Sequence, residues 1–357
     1  TTQLGALPLR DWDEGLVAQV AREIWQAPAH SMTWLYPTQW GEPYFNKPTL
    51  VHCLIAITYA IGGVSEWTAR FPGAVLTAVS VPLLYAVGRE VFYPRSSAIF
   101  SALVYLTLLP VVRQGRLAML DGAILCFMLL MVWCVLRSRR DYRYSLGVGL
   151  GFGLICLTKG VMVGVLLAGI AVVFIAWDTP RLLKLPYLWI GLLFGSVPVV
   201  LWYVAQWQHY GSSFLGTNLV DQSLQRIWTG VEGNAGPPWY YLLEIIKYTA
   251  PWLLFLPLAG KHAWTNRNLS WAKLALVWGI AYLITISLMT TKLPWYVLPL
   301  YPAFALIVGA QLTELWQRGH RVGIRYLPPI PYSLVWAGWF AILALAGWAG
   351  MIYFGWM

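Results

Sequence analysis

The sequence predicts an all-helical protein that crosses a membrane many times. Three observations carry this. Of 357 residues, 59% are hydrophobic and only 11% are charged, whereas a soluble domain carries roughly 25% charged residues. The apolar residues gather in stretches close to the length that crosses about 30 Å of hydrocarbon. The chain also holds 22 Trp and 20 Tyr, residues whose amphipathic rings favour the membrane–water boundary.

The first element is amphipathic. From Glu14 to Trp25, the residues Leu16, Val17, Val20, Ala21 and Ile24 recur at helical spacing, with Arg22 and Glu23 off that face. This predicts a helix lying in an interface. Segment 28–47 is irregular and aromatic, with Trp34, Tyr36, Trp40, Tyr44 and Phe45. Segment 48–64 is apolar enough to span or to lie along the surface. Ten candidate spans follow, near 68–88, 96–112, 119–136, 144–158, 160–177, 186–205, 244–260, 271–289, 294–312 and 332–355. Several contain Gly or Pro, which membrane helices tolerate, and no clear loop divides 144–158 from 160–177. No repeat or flexible linker appears, so 1–357 reads as one membrane domain: an outer segment 1–66, helices over 68–205, an outer loop 206–243, and helices over 244–357.

Charge orients these spans. The loops 89–95, 137–143, 178–185, 261–270 with Lys273, and 313–331 hold 14 cations against four anions, and the remaining sequence holds ten of each. The basic loops are therefore expected in the cytoplasm and the others outside, at the periplasm or exterior. The rule does not place 48–64. A start outside the membrane also leads us to expect a further helix upstream of Thr1. The net charge of +10 follows from these short loops and does not indicate nucleic acid. The four cysteines sit within apolar stretches and none has a metal-site spacing, which reads as packing. The five histidines are scattered and receive no role.

Ionisable groups near apolar segments are costly and require an explanation. On the side opposite the basic loops they are Asp11, Asp13 and Glu14 in LRDWDEG, Lys47 in PYFNKP, Arg116 and Asp121 in RQGRLAMLDG, Lys159 in CLTKG, Asp221 and Arg226 in VDQSLQR, and Lys292 in TTKLPWY. Each has a bland reading beside a reactive one. Asp13 could cap the helix that follows. Lys47, Lys159 and Lys292 could snorkel to headgroups. Arg226 could pair with Asp221, and Arg116 is a candidate partner for Asp121. The run Pro237–Tyr241 reads as an aromatic belt, with sugar stacking as the alternative.

An amphipathic helix opening on an acidic pair, followed in order by PYFNKP, RLAMLD, LTKG and KLPWYVLPLYP, resembles the GT-C superfamily of membrane glycosyltransferases. The branch it looks like holds protein O-mannosyltransferases and lipid A aminoarabinose transferases. The resemblance runs from Asp11 to Pro302. It implies about ten membrane helices here, interfacial helices in the first outer loop (including 48–64), and a first family helix missing from this chain. It also implies a polyprenyl-phosphate-sugar donor, a lipid, glycan or protein acceptor, and inverting transfer at the outer face. A carboxylate would serve as base and cations would hold the departing phosphate. By resemblance Asp13 is the base, with Asp121 a second catalytic carboxylate. Lys47, Lys159, Arg226 and Lys292 bind the donor phosphate, and Asp11, Glu14, Arg116 and Asp221 lie near substrate. Asn46 and Gln222 stand where some relatives hold metal ligands. Neither is a good zinc ligand, so no metal or other cofactor is assigned, although Asp11-Trp12-Asp13 spells a D-x-D. The alternative class is a transporter or lipid flippase. Against it, the charges cluster at one face, no inverted repeat is visible, and no nucleotide-binding loop is present.

Overall fold

A computed structural model of the protein describes residues 3–321, apart from Asp11, Ala29, Val231 and Glu232. The tenth expected span, 332–355, the C-terminal part of the last basic loop and Asp11 lie outside the described residues. Among these residues the architecture is helical, with a single two-stranded hairpin.

The amphipathic segment forms α1 (Gly15–Gln26), which buries Val17, Ala18, Val20 and Ala21. The hairpin β1 (Thr38–Gln39) and β2 (Glu42–Pro43) follows. The Glu23 carboxylate holds it by accepting from Thr38 Oγ1 at 2.5 Å and from the Trp40 amide at 2.5 Å. Segment 48–64 forms α2 (Leu50–Gly62), 13 residues and about 20 Å long, which is too short to cross the bilayer and agrees with an interfacial helix.

The bundle comprises α3 (Glu66–Val91), α4 (Arg95–Thr107), α5 (Leu109–Gly115), α6 (Asp121–Arg137), α7 (Ser145–Lys159), α8 (Val161–Asp178) and α9 (Pro186–Tyr210). An arm comes next: α10 (Ser212–Leu215), a π-helix (Gly216–Leu224) and α11 (Gln225–Trp228). Then come α12 (Tyr240–Tyr248), α13 (Leu256–Thr265), α14 (Ser270–Leu288), a 3-10 turn (Pro294–Leu300) and α15 (Tyr301–Arg321).

By length and composition, five helices among the described residues can cross a membrane: Glu66–Val91, Val161–Asp178, Pro186–Tyr210, Ser270–Leu288 and Pro294–Gln317. Two bent pairs raise this to seven. The sequence expected more. Stretch 96–112 bends by 60° between α4 and α5, and 244–260 bends by 112° between Tyr240–Tyr248 and Trp252–Thr265. Pro110 and Pro251 stand at these breaks, and a proline cannot donate to the preceding turn. Stretches 119–136 and 144–158 give α6 and α7, of 17 and 15 residues, about 25 and 22 Å. Gly160, at φ +100°, separates α7 from α8 in a single residue.

Helix α6 is apolar on every face and almost wholly buried, as a central helix should be. It packs between α3 and α7, α15 packs on α4, and α9 packs on α7. The α7–α9 contact uses a G-x-x-x-G on each helix, Gly149/Gly153 and Gly191/Gly195. A Cβ on Gly149 would lie 1.7 Å from the Gly191 carbonyl oxygen, and one on Gly195 would lie 1.9 Å from that of Gly149. Close backbone approach of this kind replaces the hydrophobic drive that lipid cannot supply. The other side of α9 leaves Trp189, Leu193, Phe194 and Leu201 exposed, an apolar surface suited to lipid.

The loops expected on the basic side converge at one end of the bundle. Arg137 and Arg140 share Glu90, and Arg139 and Lys273 share Asp178. Asp121 and Lys159 lie at the opposite ends of α6 and α7.

Candidate active site

The acidic pair near the N-terminus divides into two roles. Glu14, expected near substrate, is fully buried. Its carboxylate accepts from Arg70 Nε at 2.7 Å and Arg70 Nη2 at 2.8 Å, and from the amides of Ala118 at 2.8 Å and Arg10 at 3.2 Å. Arg70 spends its other donors on the carbonyls of Leu4, Leu7 and Pro8. Burial pushes the Glu14 carboxyl upward, but these donors outweigh it and hold the group below its usual value. Removing one partner of such a buried pair costs about 3–5 kcal/mol. Glu14 is therefore an anchor: it ties the N-terminal segment to α3 and to the turn just before Asp121.

Asp13 thereby lies close enough to Asp121 for the two charges to interact. It is half-buried, and its carboxylate makes no side-chain hydrogen bond or ion pair among the described residues. Glu14, not Asp13, stands at the N-cap of α1, which lacks a side-chain cap, so the capping alternative is not realised. Burial raises the Asp13 carboxyl above its ordinary value. Arg10 opposes the shift, and the charges of Asp121 and Glu14 add to it.

Asp121 opens α6, where the helix dipole favours a negative charge. Its partner is Lys159, with Nζ 2.5 Å from Oδ1 and both side chains largely buried. The Asp121–Arg116 pair expected from sequence is thus replaced by one between two helix ends. The ammonium of Lys159 also lies 5.5 Å from the centre of the Tyr296 ring, within cation–π range. On the other side of that residue, Arg226 Nη1 donates to the Tyr296 hydroxyl at 3.1 Å, and Arg226 Nη2 donates to Gln222 Oε1 at 2.7 Å. The outcome is a row running Asp13, Asp121, Lys159, Tyr296, Arg226, Gln222. Backbone hydrogen bonds from Thr290 to Ile227 and from Thr291 to Arg226 dock the arm beside Tyr296.

Lys47 is half-buried and follows directly on Phe45 and Asn46, whose carbonyls meet Asn218 of the arm at 2.7 and 3.5 Å. Lys292 does not join the row. Only 4% exposed, it donates to the carbonyls of Ile286, Ser287 and Met289, closing the C-terminal end of α14 where a cation is favoured. With three donors spent on three carbonyls, it is not placed to bind a phosphate. Arg116 and Asp221 are exposed, and Arg226 bonds to Gln222 and Tyr296 instead of Asp221. No group of three or more His, Cys, Asp or Glu residues poised for a metal occurs among the described residues. Sequence reasoning missed Tyr296, although it stands within KLPWY; a tyrosine among so many aromatics carries no distinguishing signal.

The chain is similar to known proteins over most of its length. The family described as dolichyl-phosphate-mannose-protein mannosyltransferase matches residues 46–203. An undecaprenyl phosphate-alpha-4-amino-4-deoxy-L-arabinose arabinosyl transferase of Pseudomonas fluorescens is 29% identical over 85% of this chain. Another from Pseudomonas savastanoi is 28% identical over 93%. In structure, ArnT from Cupriavidus metallidurans, bound to undecaprenyl phosphate, superimposes with a TM-score of 0.77 at 22% identity, covering 88% of this chain and 59% of ArnT. The chain has the GT-C fold and is similar in sequence to aminoarabinose transferases. The archaeal oligosaccharyltransferase AglB from Archaeoglobus fulgidus shares this GT-C fold more distantly, with a TM-score of 0.53 at 12% identity, covering 93% of this chain and 50% of AglB. The chain spans 55% and 62% of the length of the two bacterial relatives.

Proposed function

We propose that this membrane protein is a glycosyltransferase that moves a sugar from a polyprenyl-phosphate donor to a hydroxyl or phosphate oxygen of a lipid, glycan or protein acceptor. The supporting observation is the row itself: one half-buried carboxylate without a bonding partner among the described residues, near a pair of cations bridged by a tyrosine. In the reaction the acceptor oxygen attacks the anomeric carbon and its proton passes to Asp13. The bond from that carbon to the phosphate oxygen breaks, its electron pair leaves with the polyprenyl phosphate, and the configuration inverts. Lys159 and Arg226, with Lys47 from the N-terminal segment, supply positive charge where the phosphate gains negative charge. Asp121 holds Lys159 in place. The active end faces the periplasm or exterior of an inner or plasma membrane, because the opposite end carries the basic loops.

The transporter alternative is weaker. Arg70, in the expected span 68–88, is consumed by Glu14, and Lys273, in 271–289, by Asp178, which leaves no charged path through the middle of those two spans. The test is turnover of the purified protein with a panel of polyprenyl-phosphate sugars and envelope acceptors. Mass spectrometry should detect free polyprenyl phosphate and a glycosylated acceptor together. Translocation of the intact donor across liposomes, with no bond broken, would overturn the reading.

A further inference from the structure

Asn218 sits inside the arm and is 3% exposed. Its amide joins parts of the chain far apart in sequence. Oδ1 accepts from the Tyr203 hydroxyl at 3.0 Å, and Nδ2 donates to the Phe45 carbonyl, 173 residues away, at 2.7 Å. The Tyr203 oxygen in turn accepts from the Val161 amide at 3.5 Å, just past Lys159 and the Gly160 break. A buried amide is costly unless bonded, and an apolar side chain of similar size could fill the same space without that demand. What the amide adds is direction: a donor toward one backbone and an acceptor toward one hydroxyl.

The backbone around it is unusual in the same place. Gly216–Leu224 is π-helical, a form that is rare beyond one turn and recurs at functional sites. Ser223 Oγ closes the turn by donating to the Asn218 carbonyl at 2.9 Å. From Asn218 the arm runs on to Gln222 and Arg226. From Phe45 and Asn46 the chain runs directly into Lys47. One side chain thus sits where the two cation-bearing segments meet, and through Tyr203 it reaches the first residue of α8, two residues past Lys159.

We propose that Asn218 is a positioning residue for the donor-phosphate site, which sets Lys47 against the Gln222–Arg226 edge by joining the Phe45–Asn46 backbone to Tyr203. The inference rests on the polyprenyl-phosphate reading above. It predicts that Asn218 acts through Lys47, which a packing role would not require.

The experiment measures binding of polyprenyl phosphate, without sugar, to the purified full chain. Asn218→Leu keeps the volume and should weaken binding about tenfold, and Tyr203→Phe should weaken it about threefold. In a Lys47→Ala background the added effect of Asn218→Leu should vanish, because residues acting as one unit are non-additive. Independently of ligand, amine acylation followed by peptide mass spectrometry should show Lys47 labelled several-fold faster in Asn218→Leu than in wild type. Asn218→Asp, which turns the Phe45-facing donor into an acceptor without changing size, should reproduce both effects. Unchanged Lys47 labelling, or a binding loss that persists in full without Lys47, would overturn the positioning role. Failure of the wild type to bind polyprenyl phosphate while labelling still responds to Asn218 would instead overturn the donor reading and leave the positioning of Lys47 by Asn218 standing.

Discussion

At the basic end of the bundle, Glu90 serves Arg137 and Arg140, and Asp178 serves Arg139 and Lys273. At the other end, Glu14 takes Arg70 and Asp121 takes Lys159, while Asp13 forms no ion pair among the described residues. The two ends carry similar residue types and use them differently. At the basic end both of these buried carboxylates are neutralised. Where chemistry is proposed, two carboxylates are neutralised and a third is left unbonded in a half-buried setting that raises its pKa. That arrangement is unfavourable for stability and is what a general base needs.

The largest effect should come from the anchor at the active end. Glu14→Ala strands the Arg70 guanidinium and two amides, and should cost about 3–5 kcal/mol. A large fall in the thermal unfolding midpoint would show this, with loss of all turnover and rapid trypsin cleavage after Arg10. Next is Lys159→Met, which keeps the aliphatic stem but leaves Asp121 buried without its cation. It should reduce both stability and rate, and Lys159→Arg should restore stability better than rate, because a guanidinium fork does not fit the site of a compact ammonium. A Lys159→Met enzyme as stable as wild type would mean that Asp121 has another partner.

The pH profile separates the two kinds of carboxylate. Burial raises Asp13, with Asp121 and Glu14 adding, so the acid limb of kcat/KM should lie above the ordinary aspartate value of about 3.9. Asp121→Asn removes a neighbouring negative charge and should move that limb to lower pH. In stability the sign is reversed. A group whose folded pKa is raised contributes stability at low pH that is lost as pH rises through the folded value, so Asp13→Asn should melt no lower, and slightly higher, than wild type at neutral pH. The smallest effect is expected at the basic end. Arg140, 63% exposed, shares Glu90 with Arg137, and Arg140→Ala should leave melting and turnover within error. A clear loss of activity there would break the contrast between the ends.

Much of this contrast was legible in the sequence. The split of charge between loops anticipated that the basic loops would share one end of the bundle, and three of the ordered motifs anticipated Asp13, Asp121 and Lys159 at the other. The amphipathic helix α1 followed from its spacing, whereas spacing and charge left 48–64 open and only the resemblance pointed to a short interfacial helix such as α2. Other features depend on three-dimensional neighbours that spacing does not encode. Asp13 and Glu14 are adjacent and chemically alike, and only the position of Arg70 on α3 makes one an anchor. Lys292 and Lys159 both follow apolar helices, yet one folds back on carbonyls and the other reaches a carboxylate. Hydropathy counts apolar residues without seeing that Pro110 and Pro251 bend their stretches, so the expected spans exceed the helices long enough to cross.

The most direct test of the account is transfer by Asp13→Asn, with purified protein, a polyprenyl-phosphate sugar and an acceptor. Asparagine keeps the size of the side chain and cannot take the acceptor's proton. The account predicts a fall in rate of about 10²–10⁴-fold, with donor binding retained and an unfolding midpoint no lower than that of wild type. Transfer at the wild-type rate would contradict it, and would move the search for the base to Asp121.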